Sequence, residues 1–198
     1  MAIFESPSRR QLLKTTLTLG GVCFAAPLVR AQGVAPTPEC RDRDDPTEPQ
    51  IEGPFFKPRS PERFDLVAAA TRGRIFQLEG TVLTRSCKPV ANVLLDLWHA
   101  DENGDYDNTG FRYRGHLRSD SQGNYRFRTI MPGPYPGRTR HYHFKVQAPQ
   151  RPILTTQLYF PNEPRNESDD FYSPELLMRI ANNATGPVAR FDFILNLA

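Results

Sequence analysis

The strongest constraint on this chain is its repeated switch between short alternating runs and turn signals, which leaves no stretch with a sustained helical period. Apolar residues alternate with polar ones over Ile75 to Leu83, then again from Val90 to Trp98 after a turn around Ser86 to Pro89. Period-two patterning of this length predicts strands with one buried face. Further runs at Arg112 to Ser119, Tyr125 to Ile130, Arg140 to Ala148, Thr155 to Phe160 and Phe191 to Leu195 bring the number to seven. Asp120-Ser121-Gln122-Gly123 reads as a hairpin turn. Ser173-Pro174-Glu175 has the N-cap and N1 signals of a short helix reaching about Ala181. The expectation is an all-β sandwich with long loops and a short C-terminal helix.

The first 31 residues read as a targeting segment. Ser8-Arg9-Arg10-Gln11-Leu12-Leu13-Lys14 carries the twin arginines and following leucines of a Tat-type signal, Leu17 to Ala26 is mildly apolar, and Val29-Arg30-Ala31 is a small-x-Ala cleavage site. Its apolar core is well short of the ~20 residues that span a bilayer. Cleavage would shorten the chain from 198 to 167 residues, one domain able to bury a core. The leader holds four of the 25 basic residues and one of the 22 acidic ones, so the remainder is charge-balanced. That balance removes any compositional case for nucleic acid, or for a membrane once the signal is gone. The expected address is the periplasm or outside the cell. Residues 32–50, rich in Pro, Asp, Glu and Arg, read as an extended arm, and 51–198 as the domain proper. Cys40 and Cys87 remain after the leader leaves, and a disulfide between them would tie arm to domain in an oxidising compartment.

Chemistry concentrates between Met131 and Phe144. Pro132-Gly133-Pro134-Tyr135-Pro136-Gly137 alternates residues that fix φ with residues that free it, and so holds Tyr135 on a stiff loop. In the strand that follows, His141 and His143 share one face while Tyr142 and Phe144 share the other. Two imidazoles with a nearby phenol form a donor set suited to ferric iron better than to a soft metal. Arg138 adds a permanent cation three residues before His141.

Pro132-Gly133-Pro134-Tyr135-Pro136 followed by Arg138-Thr139-Arg140-His141-Tyr142-His143 resembles the signature of the intradiol ring-cleavage dioxygenases, with Thr139 standing where that family usually has Pro. Thr47 to Phe56 resembles the segment preceding their catalytic domain, and Thr155 to Phe160 a strand whose glutamine lies beside the substrate. What the resemblance implies is one Fe(III) per chain held by Tyr106, Tyr135, His141 and His143. Arg138 and Gln157 would act on the substrate, and Tyr106 would double as the tyrosinate that leaves and takes a proton. The substrate would be a small aromatic diol of the catechol type, cleaved with O2 to a muconate-type diacid; a homo-oligomer is left open. Tyr113 is the rival for the Tyr106 role, but its alternation with Phe111 and Gly115 reads as packing, and His99 and His116 read as ordinary histidines. The competing readings are a non-catalytic prealbumin-like binding module and a periplasmic metal carrier.

Overall fold

The computed structural model describes residues 45–67 and 71–198, all within one compact unit. The expected signal segment, most of the arm and Cys40 lie outside the described residues. Cys87 is disulfide-bonded, with a partner that also lies outside them.

Among the described residues nine strands form two sheets: β1 (Ile75–Thr84), β2 (Leu94–Trp98), β3 (Arg114–Arg118), β4 (Asn124–Ile130), β5 (His141–Gln147), β6 (Leu154–Tyr159), β7 (Arg179–Asn183), β8 (Gly186–Arg190) and β9 (Phe193–Leu195). One sheet runs β4-β1-β8-β7, with β9 also pairing β1; the other runs β3-β2-β5-β6. The period-two patterning works as expected: along β1 every second side chain is buried, from Phe76 to Thr84. Leu78, Val82, Leu95, Leu97, Phe127, Tyr142, Phe144 and Phe193 meet in the space between the sheets. Phe144 packs edge-on against Phe127 and Phe193, a cross-sheet aromatic cluster.

The predicted C-terminal helix is one turn only. Pro174–Leu176 is a 3-10 turn, and Arg179–Asn183 is strand β7 instead. Ser173 does not cap: its hydroxyl donates to the Glu48 carboxylate at 2.7 Å. Pairing of Ile180 with Ala189 then recruits the following residues into a hairpin with β8. This hairpin carried little sequence signal, because Asn182, Asn183 and Pro187 are poor strand formers. Its turn is legible in retrospect, with the Asn183 carboxamide accepting from both the backbone and the hydroxyl of Thr185.

The described end of the arm is not free. The amide of Thr47 donates to Ile194, that of Gln50 to Thr155, and the Thr156 hydroxyl donates to the Glu48 carbonyl. Residues 48–60 therefore form a strap over the outer face of the β3-β2-β5-β6 sheet, with Thr47 fastened to β9 of the other sheet.

His99 and Tyr113 are packing residues, as the alternation suggested. Their rings stack at 5.1 Å, and both are buried. The Nδ1 of His99 lies 2.7 Å from the Ala100 carbonyl, which can only accept, so Nε2 is the acceptor for the Thr129 hydroxyl at 2.6 Å. Burial holds this imidazole neutral, its pKa lowered to about 3 despite the carbonyl contact that favours the charged form. An unfolded histidine takes up its proton near pH ~6.5. The stability from keeping His99 neutral is thus complete above that pH and is lost as pH falls toward 3. Between pH 7 and 5 the native protein should lose about 2 kcal/mol more than a His99→Gln variant, read by urea unfolding at the two pH values.

Candidate metal centre

The site lies on the outer face of the β3-β2-β5-β6 sheet. Because side chains alternate along β5, Tyr142, Phe144 and Val146 enter the core while His141, His143 and Lys145 point outward. Strand register aligns Arg114, Trp98, His143 and Gln157 in one row across all four strands, and sets His141 beside Tyr159. The strap and the loops after β2, β4 and β6 cover this row, so His141 and His143 are only 4% and 3% exposed.

Three donor atoms converge there. The Nε2 atoms of His141 and His143 lie 3.0 Å apart, and the Tyr106 hydroxyl lies 3.3 Å from the first and 3.2 Å from the second. The Nδ1 of His141 donates to the Thr139 carbonyl at 2.7 Å, leaving its Nε2 lone pair facing the other two donors. His143 is oriented by its ring, stacked on Trp98 at 4.9 Å with an interplanar angle of 7°; its Nδ1 is buried without a hydrogen-bond partner. Burial lowers the pKa of His141 to about 4 and that of His143 well below the ordinary imidazole value, so both rings are neutral at pH 7. Burial also pushes the Tyr106 phenol up, opposed by the charges of Arg138 and Arg114.

With the His143 proton on its partnerless Nδ1, the two Nε2 lone pairs face each other at 3.0 Å, an arrangement that a cation between them relieves. Donors about 2.1 Å from a shared ion and at right angles about it lie about 3.0 Å apart, which matches this spacing. Among the described residues no group of three His, Cys, Asp or Glu side chains is placed to hold a metal, and the protein oxygen beside the two imidazoles is the Tyr106 phenol. The donor set fits a hard or intermediate metal such as ferric iron.

Tyr106 is fixed from several sides. Phe55 of the strap stacks on it at 4.3 Å, and its loop is folded around Asp101, which accepts the amides of Asn103 and Asp105 and pairs with Arg112 at 2.7 Å. Tyr135 comes from the loop after β4, its ring set edge-on to Tyr106 at 5.8 Å and to Phe55 at 5.5 Å. The two tyrosine loops touch backbone to backbone: a Cβ on Gly104 would lie 2.4 Å from the Pro134 carbonyl oxygen, and one on Gly133 2.4 Å from that of Glu102. Only glycine allows that approach.

Arg138 and Gln157 are brought together, the guanidinium donating to the Gln157 carboxamide at 2.6 Å. Behind them is Asp169, which the sequence reading missed. Its buried carboxylate accepts two bonds from Arg138 Nε, at 3.0 and 2.9 Å, as well as the amides of Thr139 and Phe171. Thr139, the departure from the family pattern, uses both groups that a proline would lack: its amide bonds Asp169 and its hydroxyl bonds Asn166 at 2.7 Å. Arg140, by contrast, pairs with Glu163 and the Pro132 carbonyl, bracing the Tyr135 loop. His116 stays outside the centre, bonded to Ser60. Asp169, Arg114, Trp98 and Phe55 were beyond reach of sequence reasoning because each acts through a partner tens of residues distant, although the tryptophan's place opposite His143 follows from strand register once pairing is known.

Comparison with known proteins agrees with this geometry. Residues 51–196 match the sequence model of the dioxygenase family described as "Dioxygenase". A hydroxyquinol 1,2-dioxygenase of Corynebacterium glutamicum is 32% identical over 149 residues, 63% of this chain and 49% of that protein. A chlorocatechol 1,2-dioxygenase of Pseudomonas sp. strain P51 is 28% identical over 77% of this chain and 71% of its own length. Among solved structures, the dioxygenase domain of a dioxygenase–carbohydrate-binding protein fusion from the cellulolytic bacterium Streptomyces sp. SirexAA-E superposes with a TM-score of 0.75 at 53% identity, covering 78% of this chain and all of that one. The 3-chlorocatechol 1,2-dioxygenase of Rhodococcus opacus 1CP follows at 0.72 and 29%, covering 77% and 73%. The chain belongs to the intradiol ring-cleavage dioxygenase family. It spans about half the length of several of the curated relatives it matches.

Removing Asp169 would strand a mostly buried guanidinium and a buried amide at once. Asp169→Ala should lower unfolding free energy by about 3 kcal/mol or more, measured by chemical denaturation.

Proposed function

We propose that the protein is a ferric dioxygenase that cleaves a catechol-type diol between its two hydroxylated carbons, using O2, to a muconate-type diacid. The observation that carries this is the meeting of three donors, from Tyr106, His141 and His143, beside the Arg138–Gln157 pair. Tyr135 would complete the protein's ligand set from the adjoining loop. Ferric iron held there would supply the Lewis acidity that draws electron density from a diol bound through both oxygens.

The chain's own residues account for the rest. A diol must lose its protons to bind as a dianion, and a tyrosinate that lets go of the metal can accept one. That role was assigned above to Tyr106, yet the packing favours Tyr135. Both tyrosines are partly buried, but Tyr106 is stacked under Phe55 and in contact with both histidines. Tyr135 is half-buried on a loop whose neighbours Pro134, Pro136 and Gly137 are exposed, so it can swing while Tyr106 stays. Arg138 cannot deprotonate, and Asp169 and Gln157 fix its direction; it can therefore stabilise negative charge developing on the ring without reorganising. Phe171 packs over the same guanidinium at 4.7 Å, and its exposed ring offers an apolar side against which an aromatic substrate would lie.

The twin-arginine segment supports folding and metal loading before export, and a periplasmic or secreted location. The similar Streptomyces domain, fused to a carbohydrate-binding protein in a cellulolytic bacterium, supports aromatic diols from plant material as the source of substrate.

Purified protein should contain about one iron per chain and a broad visible band from tyrosinate-to-iron charge transfer that shifts on adding a catechol. Zinc or copper without iron would instead support the carrier reading. His141→Ala and His143→Ala should lose iron and colour together. Arg138→Ala should keep both but lose ~10²-fold or more in turnover, measured as oxygen uptake with catechol, chlorocatechol, protocatechuate and hydroxyquinol.

A further inference from the structure

Arg114 has no place in the chemistry described so far, and its setting is unusual. It opens β3 and is 1% exposed. Its guanidinium makes no ion pair among the described residues. Instead Nη1 donates to the Phe55 carbonyl at 2.6 Å and Nε to the Asp107 carbonyl at 3.1 Å, while Nη2 is buried with no partner.

Those two carbonyls bracket Tyr106. Phe55 is the residue whose ring stacks on the Tyr106 ring at 4.3 Å, and Asp107 is the next residue in the chain. A single side chain thus ties the strap to the tyrosine loop on either side of one phenol. The charge needs a separate account, since an apolar side chain of similar volume would fill the same space without the cost of desolvating a cation. The nearby carboxylates are already committed. Asp107 accepts the amides of Thr109, Gly110 and Arg112, and Asp96 accepts the Ser60 hydroxyl. Both carboxylates keep their charge without bonding the guanidinium, and a Tyr106 oxygen that is an anion on a metal would add a third negative charge beside Arg114, on the residue that its two carbonyl bonds flank.

We propose that Arg114 is the positioning residue for Tyr106: it holds the ring against the two histidines and adds, beside Arg138, a second positive charge that a Tyr106 phenolate faces. The inference rests on the metal-centre reading above and adds a residue to it. Metal binding and charge on this one ligand become coupled through a side chain that touches neither metal nor substrate.

The test compares Arg114→Met and Arg114→Lys with the wild-type holoprotein, using ferric iron as the probe in equilibrium competition with a chelator, alongside the visible spectrum. Loss of an outer partner of a metal ligand typically lowers affinity ~10–100-fold, the fall expected for Arg114→Met. Its charge-transfer band should also move to longer wavelength, because a phenolate left with Arg138 as its one facing arginine gives up its electron more easily. Arg114→Lys keeps the charge but reaches only one carbonyl, so its band should stay near the wild-type position while affinity falls. A purely structural role would lower thermal stability and leave the band of the iron-bound molecules unmoved in both variants. That result, or wild-type iron affinity in Arg114→Lys, would overturn the proposal. If Arg114→Met does not fold, the affinity of Arg114→Lys still decides it. A wild-type protein that binds no iron would sink the metal-centre reading instead, a distinguishable outcome.

Discussion

The site depends on the register of β5. Side chains on a strand change face at every residue, so a slip of one position would send both histidines into the core and bring Tyr142 and Phe144 out to the site. What prevents the slip is hydrophobic: Phe144 meets Phe127 and Phe193 across the sandwich, and the Tyr142 hydroxyl finds the Ile130 carbonyl at 2.8 Å in the same core. The face that does chemistry is held in place by the face that does none. Pairing with β2 and β6 then sets Trp98 and Gln157 on either side of His143, so one register decision places three site residues.

Around that fixed row, charge is arranged rather than avoided. Asp169 and Arg138 form a mostly buried pair whose remaining hydrogen-bonding capacity is taken up by backbone amides and a carboxamide. A buried pair satisfied in this way is rigid more than it is stabilising. Rigidity suits an arginine meant to meet a charge that appears only briefly. Thr139 belongs to the same arrangement, since its amide is one of those that close the Asp169 shell.

Much of this was legible in the sequence, because it rests on local rules. Alternation revealed seven of the nine strands and separated His141 and His143 from Tyr142 and Phe144; proline and glycine marked the Tyr135 loop. Two classes of feature escaped. The β7–β8 hairpin has weak propensity and exists because β1 offers a parallel edge to β8. The helix expected over Ser173 to Ala181 failed because Ser173 had a better partner in Glu48, 125 positions away. The residues that orient the ligands were hidden for the same reason: Arg114 reaches back to Phe55 and Asp169 to Arg138, and no local pattern encodes either contact.

The strap's attachments also set an order of events during synthesis. Thr47 is made early, yet its hydroxyl and amide bond Ile194, 147 positions later, within β9. Contacts this distant in sequence are among the last a chain can make. Phe55 and Phe56, by contrast, are held over Tyr106 and Trp98 by bonds to the earlier strands β3 and β6, from Arg114 to the Phe55 carbonyl and from Gln157 to that of Ile51. A ribosome-bound intermediate could therefore have the histidines in place and the strap laid across them while its Thr47 end hangs loose, to be fastened only as the final strand arrives.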